Sequence, residues 1–351
     1  MTLSFGLRVP TAGTPQETAE YAARVEGAGV DFLWMPDTPL LAGRWRDVYG
    51  HLMCAAMTTK TLRLGPGVTN PLTRHPVTTA SAILTLDEAS NGRADLVAGT
   101  GYSSAYIIGH KAATLATMRQ ATLLWRSIFE GQATQLGGLE ITLPMPHPRL
   151  PIYLAATGPK MLEMAGEIAD GVLISVGAAP GAVAWALERI AAGEQRAGRQ
   201  AHTVRRILVV QAMVDENKAR AIDHMRPCVA GNYRHGHARE LLRLAGLPEP
   251  PALTGAFPRL YPDLGHAVDW EEAKRVSSFV SDAAVEAMIC VGSGAEIADR
   301  VRALAALDVD AIWWRDEASY TRPDALLRGL EKEVFPRLRK LRGLACAGGF
   351  W

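Results

Sequence analysis

The chain lacks most of the features that would place it quickly. Its 351 residues include only four cysteines, Cys54, Cys228, Cys290 and Cys346, widely spaced and with no C-x-x-C pair. That usage suits reduced thiols better than a disulfide framework or a zinc site. No apolar run reaches the roughly eighteen residues of a membrane span. The start, MTLSFGLRVP, has neither the charged segment nor the apolar run of a signal peptide. A cytoplasmic protein is expected. Formal net charge is +1 and no basic block stands out, which disfavours nucleic acid and anionic membrane as partners. No G-x-G-x-x-G follows the first strand-like run, and G-x-S-x-G, P-loop and H-E-x-x-H are absent, which lowers the weight of dinucleotide-fold, hydrolase and kinase readings. His51, His110 and His147 show no metal-like spacing. The pair His235 and His237 lacks a third ligand, so no metal site is expected.

What the chain does have is alternation. Hydrophobic residues make up 48% against 21% charged, enough for one large core. Short apolar runs at residues 3–9, 31–37, 63–68, 93–101, 151–157, 171–177, 205–214 and 310–315 are separated by helix-length amphipathic stretches. Near-continuous apolar character suits parallel strands buried on both faces, and eight strand–helix units point to a (β/α)8 TIM barrel rather than an open doubly wound sheet. Residues 132–148, with two adjacent glycines and three prolines, read as a hairpin or loop. The rhythm stops at about 216–285, too long for an ordinary strand–helix connection, so this segment is expected as an insertion of helices and loops over the barrel mouth, before the last unit. Residues 1–351 read as one domain.

In such a barrel, functional groups gather at the C-terminal ends of the strands. Asp37 closes the second run, where it can transfer protons, hydrogen-bond a cofactor, or simply shape a turn ahead of Pro39. The third run, LGPGVTNP, is broken by two glycines around a proline, the mark of a bulge or a close backbone approach at Gly67, Val68, Thr69 and Asn70. Thr100, Gly101, Tyr102 and Ser103 follow the fourth run. Thr157, Gly158 and Lys160 open a helix after the fifth, which suits an anion, although Thr157 as a cap and Lys160 as a solvated side chain look the same. Ser175 to Gly177 end the sixth run. His75 before Pro76 reads as structural. Trp34, Trp313 and Trp314 can stack on a ring or fill the core.

Three stretches carry a resemblance: LGPGVTNPLTRHPVTTASAILTLDEASNGRADLVAGTG (64–101), PIYLAATGPKMLEMAGEIADGVLIS (151–175) and ICVGSGAEIADRVRALAALDVDAIWW (289–314). In this order the chain resembles the luciferase-like flavin and deazaflavin oxidoreductases, and within them the branch of methylenetetrahydromethanopterin reductase, which uses coenzyme F-420, an 8-hydroxy-5-deazaflavin. The resemblance implies the same barrel and a non-proline cis peptide in the third-strand bulge, at Gly67–Val68, backing the ring. It makes Thr157, Gly158, Lys160 and Met161 the phosphate-binding turn and brings Thr100 to Ser103 toward the cofactor tail, with Ser175 and Gly177 along the same groove. Asp37 matches the acid of an Asp–His pair in several relatives, but Thr38 stands where the His would be, and Tyr102 stands where relatives tend to have Asp.

The activity implied is hydride transfer between F-420 and an electrophilic C=N or C=C bond of a small molecule, either methylenetetrahydromethanopterin-like or a natural-product imine or enone. An FMN-dependent monooxygenase and a non-catalytic flavin-binding protein stay open beside it. A homodimer is implied as well.

Overall fold

The structure, a computed structural model, describes residues 2–136, 138–142, 150–233, 237–249 and 264–341. His147, His235, Cys346 and the end of the proline-rich stretch (250–258) lie outside the described residues. Eight parallel strands close into a barrel: β1 (Ser4–Arg8), β2 (Phe32–Met35), β3 (Arg63–Thr69), β4 (Leu96–Ala98), β5 (Ile152–Ala156), β6 (Gly171–Ile174), β7 (Arg205–Val214) and β8 (Ala311–Arg315). Each pairs with the next, and β8 returns to β1, opposing Ser4 with Ala311 and Leu7 with Trp314. Helices fill the outer ring. Their starts are written in the sequence: Thr14 and Glu17 form a capping box before Pro15–Gly27, Asp47 caps Val48–Thr58, and Ser293 with Glu296 caps Gly294–Ala305.

The two-residue period of a strand divides the side chains cleanly. One set, with Leu7, Leu33, Leu154 and Trp314, packs outward against the helices. The other, Phe32, Trp34, Val97, Tyr153, Leu173, Ile207, Val209 and Trp313, fills the barrel interior. Trp34 and Trp314 are therefore core residues, whereas Trp313 reaches the mouth. Trp34 Nε1 donates to Asp95 Oδ2 (2.9 Å), and Arg63 Nε donates to Asp95 Oδ1 (2.9 Å), so the buried carboxylate is fully engaged.

The segment that breaks the rhythm forms helices Lys218–Asn232, Ala238–Leu244, Trp270–Val276 and Asp282–Met288. They build a second apolar cluster around Met225, Leu242, Leu264 and Val285. Three departures from the sequence expectation stand out. Cys290–Gly292 is a further parallel strand on the overhanging end of β7, three residues long and so without a readable period. Tyr102–Ile107 is a short helix inside the loop after β4. The closing helix is broken into Asp324–Gly329, a wide turn over Leu330–Val334 and a tight one over Phe335–Leu338, where Pro336 removes a backbone donor. Within the segment read as a hairpin or loop, Thr134–Leu136 pairs antiparallel with Leu139–Ile141.

Candidate active site at the barrel mouth

The last inward-facing residue on each strand forms a ring around the mouth. On β2 to β6 these positions, or the residue just beyond, are Pro36, Gly67, Gly99, Ala155 and Ser175; on β7, β8 and β1 they are Gln211, Arg315 and Arg8. All of them line one cavity of about 340 Å³, closed from above by Cys228, Asn232 and Leu264 to His266 of the inserted segment. One side of the mouth is thus nearly free of side chains and the other is crowded and charged.

The bare side is shaped by β3. Register against β4 shifts between Gly67 and Thr69, and the Gly67–Val68 peptide is cis, so the bulge presents backbone to the cavity. A Cβ on Gly67 would lie 2.6 Å from Trp34 Cβ, so only glycine fits there. Val68 packs beside Gly99 and Ala155, and Trp313 borders the same wall with its Nε1 buried and unpartnered among the described residues. Thr69 and Asn70 do not line the cavity. Asn70 Oδ1 accepts from Leu72 N and Thr73 N (both 3.0 Å), and its Nδ2 donates to Thr73 Oγ1 (2.9 Å) and Ser104 Oγ (2.8 Å). It ties the bulge to the loop after β4. Thr69 Oγ1 donates to Asp37 Oδ2 (2.8 Å).

Asp37 was the candidate acid or base. Its carboxylate is 4% exposed, lies behind the wall and faces Thr69, with Arg74 Nε at 3.9 Å, while its neighbours Pro36 and Thr38 line the cavity. Burial pushes its pKa up, and the Thr69 hydroxyl and Arg74 pull it back. In this geometry Asp37 braces the bulge from behind.

Beyond the bare wall, Thr100, Gly101, Tyr102, Ser103, Thr157 and Ser175 all line the cavity. The turn after β5 opens the helix Pro159–Ile168 with Gly158 as its cap and no side-chain cap bond; Pro159 has no N–H, so the Lys160 amide is the first-turn donor left for a ligand. Gly158 is matched to a neighbour that the sequence reading set aside: a Cβ there would meet His237 Nε2 at 2.2 Å. The imidazole of the H-G-H pair lies against the anion-type turn. Lys160 is exposed on the first helical turn, away from the cavity lining, and Met161 buries its side chain in the outer core and its amide on the Gly158 carbonyl (3.1 Å). Gly177, at φ 78°, turns the chain against Met288 and also misses the cavity.

The charged side escaped sequence reasoning. Arg8 is 4% exposed, donates Nη1 to the Ala318 carbonyl (3.0 Å) and lies over the Trp45 ring (5.7 Å). Arg315 opposes Gln211 across β8 and β7 and leaves Nε buried without a partner among the described residues. Asp316, next to it, is pushed up to about 7 by burial and by Glu317, against the pull of Arg8 and Arg315. Cys228 is held protonated, with its thiol raised to about 12 by burial. The signal was available: Arg8 and Arg315 each follow an apolar strand in the inward phase, as Asp37 does not. Among the described residues, no cluster of three His, Cys, Asp or Glu is placed to hold a metal ion, and no helix is long and apolar enough to cross a membrane.

The C-terminal mouth of the closed (β/α)8 barrel, where barrel enzymes place their sites, thus carries a bulged wall with little side chain on one side and a charged row on the other. Comparison with known proteins names the family. The luciferase-like monooxygenase profile matches residues 2–311, and the chain belongs to that family of oxidoreductases. The 5,10-methylenetetrahydromethanopterin reductase of Archaeoglobus fulgidus is 30% identical over 355 residues, covering 96% of this chain and all of the relative. That of Methanolobus tindarius is 34% identical over 226 residues, 62% of this chain and 68% of the relative. The solved coenzyme F-420-dependent tetrahydromethanopterin reductase of Methanopyrus kandleri superposes with a TM-score of 0.77 at 24% identity, covering 96% of this chain and 99% of that one, and shows the shared fold.

Proposed function

We propose that the protein binds coenzyme F-420 against the β3 wall and transfers hydride between it and an electrophilic C=N or C=C bond of a small molecule. The observation that carries this reading is the wall itself. Gly67, Gly99 and Ala155 leave it free of side chains that would occupy the space of a tricyclic ring, and the buried Trp313 Nε1 beside it lacks a partner among the described residues. Relatives whose names specify methylenetetrahydromethanopterin reductase, over nearly the full chain, support the same choice.

Bound in its reduced form, F-420 supplies a hydride and the accompanying proton, so that C=N becomes CH–NH, or C=C becomes CH–CH, as the deazaflavin is oxidised. The protein's part is position. The bulge would cover one face of the ring and leave the other to substrate. Thr100 to Ser103, Thr157, the Lys160 amide and His237 supply the donors for a phosphate-bearing tail. The inserted helices roof the cavity and exclude water. Asp37 holds the bulge through Thr69. A homodimer acting on a small-molecule substrate belongs to the same proposal.

Paired titrations of the purified protein with F-420 and with FMN, followed by fluorescence, test it. Tight binding of F-420 with weak or no binding of FMN is expected. Preference for FMN, with oxygen consumption on reduction, would move the protein to the monooxygenase chemistry of its family, and binding without turnover on any imine or enone would leave a flavin-binding protein.

A further inference from the structure

We propose that Arg8 and Arg315 form the recognition site for a carboxylate on the substrate, so that the reducible bond belongs to a carboxylic acid. This rests on the hydride-transfer reading for the chemistry, but the site is defined without it.

Three observations carry the inference. The first is placement. Leu7 opposes Trp314 and both point outward, so the next pair, Arg8 and Arg315, stands side by side facing the cavity, with Gln211 alongside Arg315. Two guanidiniums and an amide therefore occupy three consecutive strands in one row, across the mouth from the bare wall. The second is uncompensated charge. Neither arginine has a carboxylate within ion-pair distance among the described residues, and burial, with Arg315 beside it, brings Arg8 down to about 9. Asp316 is the acid beside them and is itself raised to about 7 by burial, with Oδ1 buried and unpartnered among the described residues; Glu317 is engaged by His224 Nε2 at 2.8 Å. At the cavity wall Arg8 and Arg315 face the opening while Asp316 and Glu317 do not, so an anionic ligand there meets positive charge first. The third is preorganisation. The Ala318 carbonyl and the Trp45 face fix the Arg8 guanidinium, and the unused Nε of Arg315 offers the forked geometry that takes a carboxylate through two parallel bonds.

The test uses crotonate and crotonamide, small enough for the cavity and differing only in the charged group. Ligand-observed NMR on the full chain, with and without F-420, gives their affinities for wild type, Arg315→Gln and Arg8→Met. Crotonate should bind wild type at least tenfold more tightly than crotonamide, each variant should lose that preference, and Arg315→Lys should recover part of it. F-420 affinity should be the same in wild type and Arg315→Gln. Equal binding of acid and amide by wild type would overturn the proposal even if the variants failed to fold, as would an undiminished preference in Arg315→Gln. Failure of F-420 to bind would overturn the hydride reading alone, because the acid–amide preference is read without the cofactor.

Discussion

The two sides of the barrel mouth are built from the same structural position and do opposite things. From β2 to β6 the last inward residue is proline, glycine, alanine or serine, and the wall is backbone. From β7 through β8 to β1 it is glutamine or arginine, and the wall is a row of donors with unspent charge. Apart from Gly67, where Trp34 leaves no room for a Cβ, a side chain at these positions has no packing duty to the barrel interior, which is already filled one layer down by Phe32, Trp34, Tyr153, Ile207 and Trp313. Its identity is thus free to be set by what the cavity holds. The bare side suits a flat, rigid, neutral body that gains from contact area. The charged side suits a small, charged group that gains from direction. On the proposed reading, a cavity of about 340 Å³ with these two poles assigns the bare end to the planar ligand and the charged end to its reaction partner.

The most disruptive way to break this contrast is to give the bare side a side chain. Ala155→Leu adds a branched group to the wall at a partly exposed site, with no buried polar group to disturb. F-420 affinity should fall about 100-fold, on the order of 2.7 kcal/mol, while the acid–amide preference of the arginine row is retained. Fluorescence titration and the crotonate pair measure the two quantities on one sample. Unchanged F-420 affinity would mean that the ring does not lie on this wall.

A smaller effect sharpens the other side. Asp316 is surrounded by Glu317, which raises its pKa, by Arg8 and Arg315, which lower it, and by the Ala318 amide, with Tyr21, Cys228 and Tyr320 coupled to the same cluster and His224 paired to Glu317. Below its value of about 7 the acid is neutral and the arginines are uncompensated; above it, an ionised Asp316 competes with the ligand. Crotonate affinity should therefore fall as pH rises from 6 to 8, by about fivefold, roughly 1 kcal/mol, and the fall should vanish in Asp316→Asn. Crotonamide affinity should be flat over the same range.

The barrel itself was legible because its signals are local and repeated. Each strand is a short apolar run and each helix opens on a cap such as Thr14, Asp47 or Ser293. The bulge was legible too, since Gly65, Pro66 and Gly67 interrupt a buried strand. What failed was phase. Asp37, Thr69, Met161 and Gly177 lie in the right loops but face outward or backward, whereas Arg8, Gln211 and Arg315 sit inside runs that read as core strands. Residues at the end of a strand are divided by a single step of the pleat, and a sequence reading that marks strand ends without counting that step mixes wall with backing. The approach of His237 to Gly158 was beyond sequence altogether, because the two groups are far apart in the chain and meet only where the inserted segment packs over the mouth.

Asp37 is where the wall and its backing can be told apart by experiment. Asp37→Asn keeps an oxygen for the Thr69 hydroxyl and loses only the charge near Arg74. If the carboxylate braces the bulge, F-420 affinity and kcat should both stay within about threefold of wild type, less than 1 kcal/mol, and the pH–rate profile should keep its shape. A general acid or base would instead cost about 100-fold or more in kcat and remove one limb of the profile. Stability gives an independent reading. Burial raises the folded pKa of Asp37 above its ordinary value, so its favourable contribution is greatest below the usual carboxylate range and is lost as pH rises through the folded value. Asparagine carries no such loss, and the Tm of the variant relative to wild type should move upward as pH increases.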